Sequence, residues 1–406
     1  MMCQDVLTIP ASGTIKIISE HSIHAYPHPM PFKDKPFVAF RETGGYIEKL
    51  YSVSNQVVLH PTRDDLHSKL AHLDQETRKR ILTYIQDRKK GFGFEKPESD
   101  YMFWVLKEEK ELSHRPKLKH NTPGHVYFNY EDFISGNKII SKKGKHTTSG
   151  VFEYNDFRDN LLIDKYNPIL QSMRSMKTKH LRSENSEDAI TWNVFKSLQQ
   201  INPVYWYPEL ISKGINQTSF PLKKQIDTNQ IPNKLDIKLW QSIKPPETLL
   251  KKGPAEGATE VDVIIECEEF VWVIEAKYKS DISTGTTHDK ERNQILRNID
   301  VGSNYAEGRD FYFSLLILDD KSSSKGIAAV EKYSRELTED VSQFEDHLKH
   351  RTVGLFNLQG LTVFYWRDLA AIFKSCIDQV EDEFEKMIAT RVFNWLGDKE
   401  IHIELG

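Results

Sequence analysis

The stretch EVDVIIECEEFVWVIEAKYK, Glu260–Lys279, decides how the second half of the chain is read. Two apolar runs, VDVIIE and FVWVIEA, flank a short acidic turn, so a β-hairpin is expected. Side chains alternate along a strand, which puts Glu275 and Lys277 on one face and Ile274 and Ala276 on the other. If the turn is centred between Glu268 and Glu269, Cys267 pairs with Phe270 and Asp262 falls opposite Glu275. A four-residue loop about the same centre gives the same pairing, and Glu-Glu is a poor dipeptide for a two-residue primed turn. Directly opposed residues hold their Cβ atoms about 4.5–5.5 Å apart. Two carboxylates at that separation repel each other, and a cation between them relieves the repulsion.

An oxygen pair of this kind suits Mg²⁺, which takes one or two carboxylates and keeps waters for substrate phosphates. Lys277, on the same face, is positioned to orient a water and offset phosphate charge, the chemistry of metal-assisted phosphodiester hydrolysis. The competing reading is a solvent-facing strand with an ordinary Glu–Lys pair and an unrelated Asp. Two features besides the register weigh against it. FVWVIEA is strongly apolar, so its end is expected inside the sheet, where unpaired charge is costly. The alternate face (Phe270, Trp272, Ile274, Ala276) is apolar as well, so both faces are expected to be covered.

The elements around the hairpin set the fold class. SENSEDAITWNVFKSLQQI, with apolar residues at Ile190, Val194, Leu198 and Ile201, reads as an amphipathic helix. KLDIKLWQSI reads as a strand, HDKERNQILRNIDVGSNYA as a helix and FYFSLLILD as a buried strand. VEKYSRELTEDVSQFEDHL reads as a helix, LTVFYW as a strand and RDLAAIFKSCIDQVEDEFEKMIATRVFNWL as a closing helical region. The expectation is an α/β protein with a mixed (α+β) sheet and helices on both faces, occupying residues 181–406. Residues 1–180 form an N-terminal accessory region of unknown fold. It is irregular but for a helix over about 62–88, broken near Asp74, strand candidates at MFWVL and HVYFNY, and a basic loop over 135–150.

Asp262 on one strand, followed by Glu275-Ala276-Lys277 on the next, resembles the PD-(D/E)XK nuclease superfamily, the restriction-endonuclease-like fold. Val261 stands where that family carries Pro, and the resemblance spans roughly Ser183 to Leu396. It implies Mg²⁺, with Mn²⁺ as an alternative, held by Asp262, Glu275 and the backbone carbonyl of Ala276. It implies that Lys277 positions the attacking water and that Glu187, on the helix before the sheet, supports a metal or orients its ligands. Glu187 lies three, seven and eleven residues before Ile190, Val194 and Leu198, near the inward face; as a first-turn acid it also complements the helix dipole. Gln294, with Tyr305 two to three turns later, matches a helical Gln of some branches that orients the lysine or contacts phosphate; an exposed helical Gln is the plainer reading. The function implied is a metal-dependent (endo)nuclease acting on DNA, in bacterial defence or DNA repair, with a homodimer or a defence-system protein as partner. The alternative is a catalytically inactive nuclease-fold protein that binds nucleic acid or serves as a scaffold.

The remaining features exclude more than they assert. The chain's 406 residues allow two or three domains. Its longest apolar run, FYFSLLIL, is too short to cross a bilayer, and MMCQDVLTIPASGTIKI lacks the pattern of a signal peptide. A cytoplasmic protein is therefore expected. Cys3, Cys267 and Cys376 form neither a disulfide framework nor a zinc spacing. A net charge of −4 leaves the partner open, and clusters such as KTKHLR (Lys177–Arg182) and Lys251–Lys252 read as solvated surface. HSIHAYPHP carries three histidines, but its prolines oppose a helix and a polar loop is expected. SSSKG lacks the frame of a phosphate loop.

Overall fold

The computed structural model describes residues 5–401 apart from 30–35, 64, 95, 97, 119–123, 142, 249–256, 286–291, 349 and 352–354. Lys251–Lys252 and the start of the helix expected from His288 lie outside the described residues. The chain divides into two compact units, Met1–Asp156 and Phe157–Gly406. Residues 157–180, read from sequence with the first unit, belong to the second: Phe157, Leu161 and Leu170 are buried in its core, and the Asn160 side chain donates to the carbonyls of Leu181 and Ser183.

The first unit is more regular than its sequence suggests. Six strands, β1 (Asp5–Pro10), β2 (Ile23–Pro27), β3 (Phe37–Arg41), β4 (Lys49–Leu59), β5 (Tyr101–Glu111) and β6 (Val126–Asn129), form one sheet in the order β2-β5-β4-β3-β1-β6. Only β1 and β3 run parallel. Helices α1 (Ile15–His21) and α2 (Gln75–Lys90) accompany it. The break expected near Asp74 is the N-cap of α2, where the Asp74 carboxylate accepts from the Thr77 N–H at 2.9 Å. HSIHAYPHP is not a polar loop: His21 ends α1, and Ile23–Pro27 form an edge strand whose His24 is buried. Proline is tolerated at a strand's edge and end, so Pro27 opposes a helix without forbidding a strand.

The second unit is built on a five-stranded sheet in the order β7-β8-β9-β10-β11, made of β7 (Asp236–Ile243), β8 (Thr259–Glu266), β9 (Phe270–Ala276), β10 (Asp310–Ile317) and β11 (Leu358–Tyr365). β7, β8 and β9 pair antiparallel, and β9, β10 and β11 pair parallel. All seven residues of β9 are buried. Trp272 and Ile274 pack with α3 (Glu187–Leu198), α6 (Trp366–Gln379) and α7 (Glu383–Asp398), while Val271 and Val273 pack with α4 (Gln294–Ala306) and α5 (Ser324–Glu339). The fold is therefore α/β with mixed sheets, and this one has helices on both faces. The helix expected through residue 348 breaks at Asp340, whose carboxylate caps a short helix by accepting from Ser342 N. Among the described residues, no helix is long and apolar enough to cross a membrane.

Candidate active site

The hairpin has the register expected of it. Val263 pairs with Ile274, Ile265 with Trp272 and Glu266 with Val271, and Cys267 N–H donates to the Phe270 carbonyl at 3.0 Å. One step beyond the last ladder pair, Asp262 stands across from Glu275. Its Oδ2 accepts from the Ala276 N–H at 3.0 Å. The chain then continues along β10, with Lys277 N–H donating to the Leu316 carbonyl at 2.8 Å, and Trp366 Nε1 donating to the Lys277 carbonyl at 3.0 Å. The backbone around the acid-x-Lys segment is thus pinned from three elements.

The Lys277 side chain is folded back into the carboxylates. Its Nζ lies 2.6 Å from Glu275 Oε1, 2.9 Å from the Ala276 carbonyl oxygen and 3.1 Å from Glu187 Oε1. Glu187 is the first residue of α3, whose cap Ser186 accepts from Ala189 N–H at 3.1 Å. Its second oxygen accepts from Tyr278 N–H at 2.9 Å and Ser280 Oγ at 2.7 Å. Glu187 therefore holds both positions read from sequence, a first-turn acid and a member of the cluster. Gln294 reaches the site too, through Glu275: its Nε2 donates to Glu275 Oε1, the oxygen that Lys277 also contacts. Tyr305 does not, since eleven residues of helix carry it away; its hydroxyl donates to Glu266 at the far end of β8.

Charge in the cluster is unbalanced. Burial alone would lower the affinity of Lys277 for its proton, but Glu275, Asp262 and Glu187 outweigh it and raise the pKa above the usual lysine range. Burial and the Glu275 charge push Asp262 well above the usual carboxylate range. Three carboxylates thus surround one ammonium. A divalent cation fits this donor set: Asp262, Glu275 and the Ala276 carbonyl are all oxygen ligands, and Mg²⁺ asks for one or two carboxylates rather than a protein cage. Among the described residues no three His, Cys, Asp or Glu side chains form such a cage.

One further residue completes the site. Asn298 donates from Nδ2 to Glu275 Oε2, so this 1 % exposed carboxylate receives three side-chain donors. Its signal was the four-residue spacing from Gln294, which puts both amides on one face of α4. Trp240, on the neighbouring strand, touches none of the cluster residues in any contact shown. It adopts φ +54° within β7, between the pairs Leu239–Val263 and Gln241–Val261, and so stands opposite Asp262. A bulky residue in that conformation is strained. Its ring stacks on Trp192 at 5.0 Å, and Lys177 Nζ lies 4.4 Å from its centre. Lys177 also pairs with Asp188 and Glu260, so KTKHLR is not simply solvated surface.

No family model matches the chain, and no curated protein matches it. Among solved structures, the chain is similar to a mutant ZmASCH protein from Zymomonas mobilis at 10% identity, over 32% of this chain and 93% of that one. The TM-score is 0.20, a likeness too slight to carry an argument about fold or function.

Proposed function

We propose that the second unit is a Mg²⁺-dependent nuclease of the PD-(D/E)XK type, with a restriction-endonuclease-like core, that hydrolyses phosphodiester bonds in DNA. The observation that carries this reading is the convergence of Asp262, Glu275, Lys277 and Glu187 from two inner strands and a helix where β9 ends. Asp262, Glu275 and the Ala276 carbonyl would hold the metal, with Mn²⁺ as a substitute. The chemistry the ion supplies when bound is polarisation of the phosphoryl oxygens and a more acidic bound water.

The chain's own groups do the rest. Lys277 donates to Glu275, Glu187 and the Ala276 carbonyl; a metal holding Glu275 and that carbonyl would free its N–H groups to donate to the attacking water and to the oxygen on which negative charge develops. Glu187 and Glu275 aim that ammonium, and Gln294 and Asn298 fix the rotation of the Glu275 carboxylate. The proposal extends to a cytoplasmic enzyme of bacterial defence or DNA repair, acting as a homodimer or with a defence-system partner.

The deciding experiment is cleavage of supercoiled and linear DNA by the full chain with Mg²⁺, Mn²⁺ or EDTA, beside Asp262→Asn and Lys277→Met. Metal-dependent cleavage that both substitutions reduce by about a hundredfold or more is the expected result. Cleavage that survives in both variants would remove these residues from the mechanism.

A further inference from the structure

Two of the three oxygen donors assigned to the cation already serve Lys277. Its Nζ donates to Glu275 Oε1 at 2.6 Å and to the Ala276 carbonyl at 2.9 Å, which leaves Asp262 as the third donor of the set. Glu275 has little to spare besides. Its Oε1 also accepts from Gln294 and its Oε2 from Asn298, so three of the roughly four lone-pair sites of the carboxylate are engaged.

The three side chains that donate to Glu275 differ in how readily they can leave it. Asn298 is fully buried on α4. Gln294 is held through its other atom, since its Oε1 accepts from the Ser283 N–H at 3.3 Å. Lys277 hangs on a flexible four-carbon stem, and a second carboxylate lies within its reach. Glu187 Oε1 is 3.1 Å from Nζ, and Glu187 stands outside the three donors assigned to the cation. The other Glu187 oxygen accepts from Tyr278 N–H at 2.9 Å and from Ser280 Oγ at 2.7 Å, so this carboxylate stays in place while the lysine pivots. The Glu187 side chain is 28 % exposed against 1 % for Glu275, so the pivot carries the ammonium outward.

That movement has a cost. Lys277 is 5 % exposed, and a buried ammonium that leaves a carboxylate and a carbonyl gives up charge-assisted hydrogen bonds. Binding of an ion to the same oxygens is weakened by that amount.

We propose that Lys277 sets the affinity of the cation site: its ammonium competes with the ion for Glu275 Oε1 and the Ala276 carbonyl, and Glu187 retains the ammonium when the ion takes those oxygens. The inference rests on the nuclease reading, whose metal donors it uses. It gives Lys277 a second role, as the group against which the metal binds.

Calorimetric titration of Mg²⁺ into the full chain, without DNA, tests this apart from cleavage. Lys277→Met should bind Mg²⁺ about tenfold or more tightly than the unsubstituted protein, although it loses cleavage. Asp262→Asn should weaken binding with or without Lys277→Met, which identifies the site. Lys279→Met controls for charge alone: Lys279 is 40 % exposed and pairs with Glu400 rather than with a cluster residue, so its loss should leave the affinity within about twofold. Mg²⁺ should also raise the melting temperature of Lys277→Met by more than that of the unsubstituted protein, because at one concentration the tighter ligand stabilises more. Lys277→Gln, which keeps a donor but no charge, carries the same expectation and replaces Lys277→Met if that variant does not fold. Equal or weaker Mg²⁺ binding in the Lys277 variants, or an equal gain in Lys279→Met, would overturn the inference and leave the metal site standing. Absence of Mg²⁺ binding from the unsubstituted protein and all variants would overturn the nuclease reading together with it.

Discussion

Glu275 is almost wholly buried, yet it remains acceptable in the core because Lys277, Gln294 and Asn298 all donate to it. Removing one donor strands an oxygen in the interior, so Asn298→Ala should lower stability by about 1–3 kcal/mol, read as a shift in urea midpoint at unchanged slope. An unchanged midpoint would mean that water replaces the amide. Asp262 tests the opposite sign. Its carboxylate is crowded by Glu275 and Glu187, and the bond it accepts from Ala276 N–H is one an Asn oxygen can keep. Asp262→Asn should therefore raise the urea midpoint of the metal-free protein while abolishing the proposed metal-dependent cleavage. A lower midpoint would show that the charge is better compensated than the distances indicate. Strand alternation and hairpin symmetry make Asp262, Glu275 and Lys277 legible in the sequence. Trp240 was not legible, because a left-handed φ in a tryptophan follows from packing on Trp192 and carries no local signature.

The helix that carries Gln294 and Asn298 is seated by a glycine. A Cβ on Gly302 would lie 2.7 Å from the Phe311 ring and 3.1 Å from Val273. Those residues begin β10 and line the centre of β9, so α4 can approach the sheet only where it has no side chain. Gly302→Ala should cost about 1–3 kcal/mol through overpacking, despite the better helix propensity of alanine. It should also weaken the proposed Mg²⁺ binding, because Gln294 and Asn298 move with the helix; calorimetric titration of Mg²⁺ reads this directly. A stabilised variant with unchanged metal affinity would show that the helix shifts without disturbing the amides. The positions of α3, α6 and the closing strand followed from periodicity. The split at Asp340 did not, since the apolar pattern runs through it and only the cap reveals the break.

The two units carry different acid sensitivities. In the first, burial and then Arg88 hold His24 down at about pKa 3, among the rings of Phe40, Tyr26 and Trp104. Neither ring nitrogen has a hydrogen-bond partner among the described residues. The unfolded chain therefore binds this proton more tightly, so the contribution is complete above pH about 6.5 and is lost as pH falls toward 3, roughly 5 kcal/mol in all. In the second unit Asp300 is held at about 2: burial alone would raise it, but His350, Arg351 and Arg292 outweigh burial. That contribution is present above about 3.8 and fades only toward pH 2. On acidification the first unit should lose structure at higher pH. Trp104, the only tryptophan of Met1–Asp156, reports it by fluorescence once the other six are accounted for. His24→Phe should flatten the change between pH 6 and 4, and loss of both units in one step at every pH would contradict the separation.

Local pattern by itself determined the strand and helix order of the second unit, the hairpin register and the membership of Asp262, Glu275 and Lys277 in one cluster. Those properties depend on residue alternation and on a turn centre, both written along the chain. The tertiary structure alone decided that residues 157–180 join the second unit, and that HSIHAYPHP becomes a helix end and a buried strand. It alone stacked Trp240 on Trp192 and closed Tyr207 into the core. Each of those outcomes depends on which distant surface a residue meets, and burial against a distant partner leaves no periodic trace in the sequence.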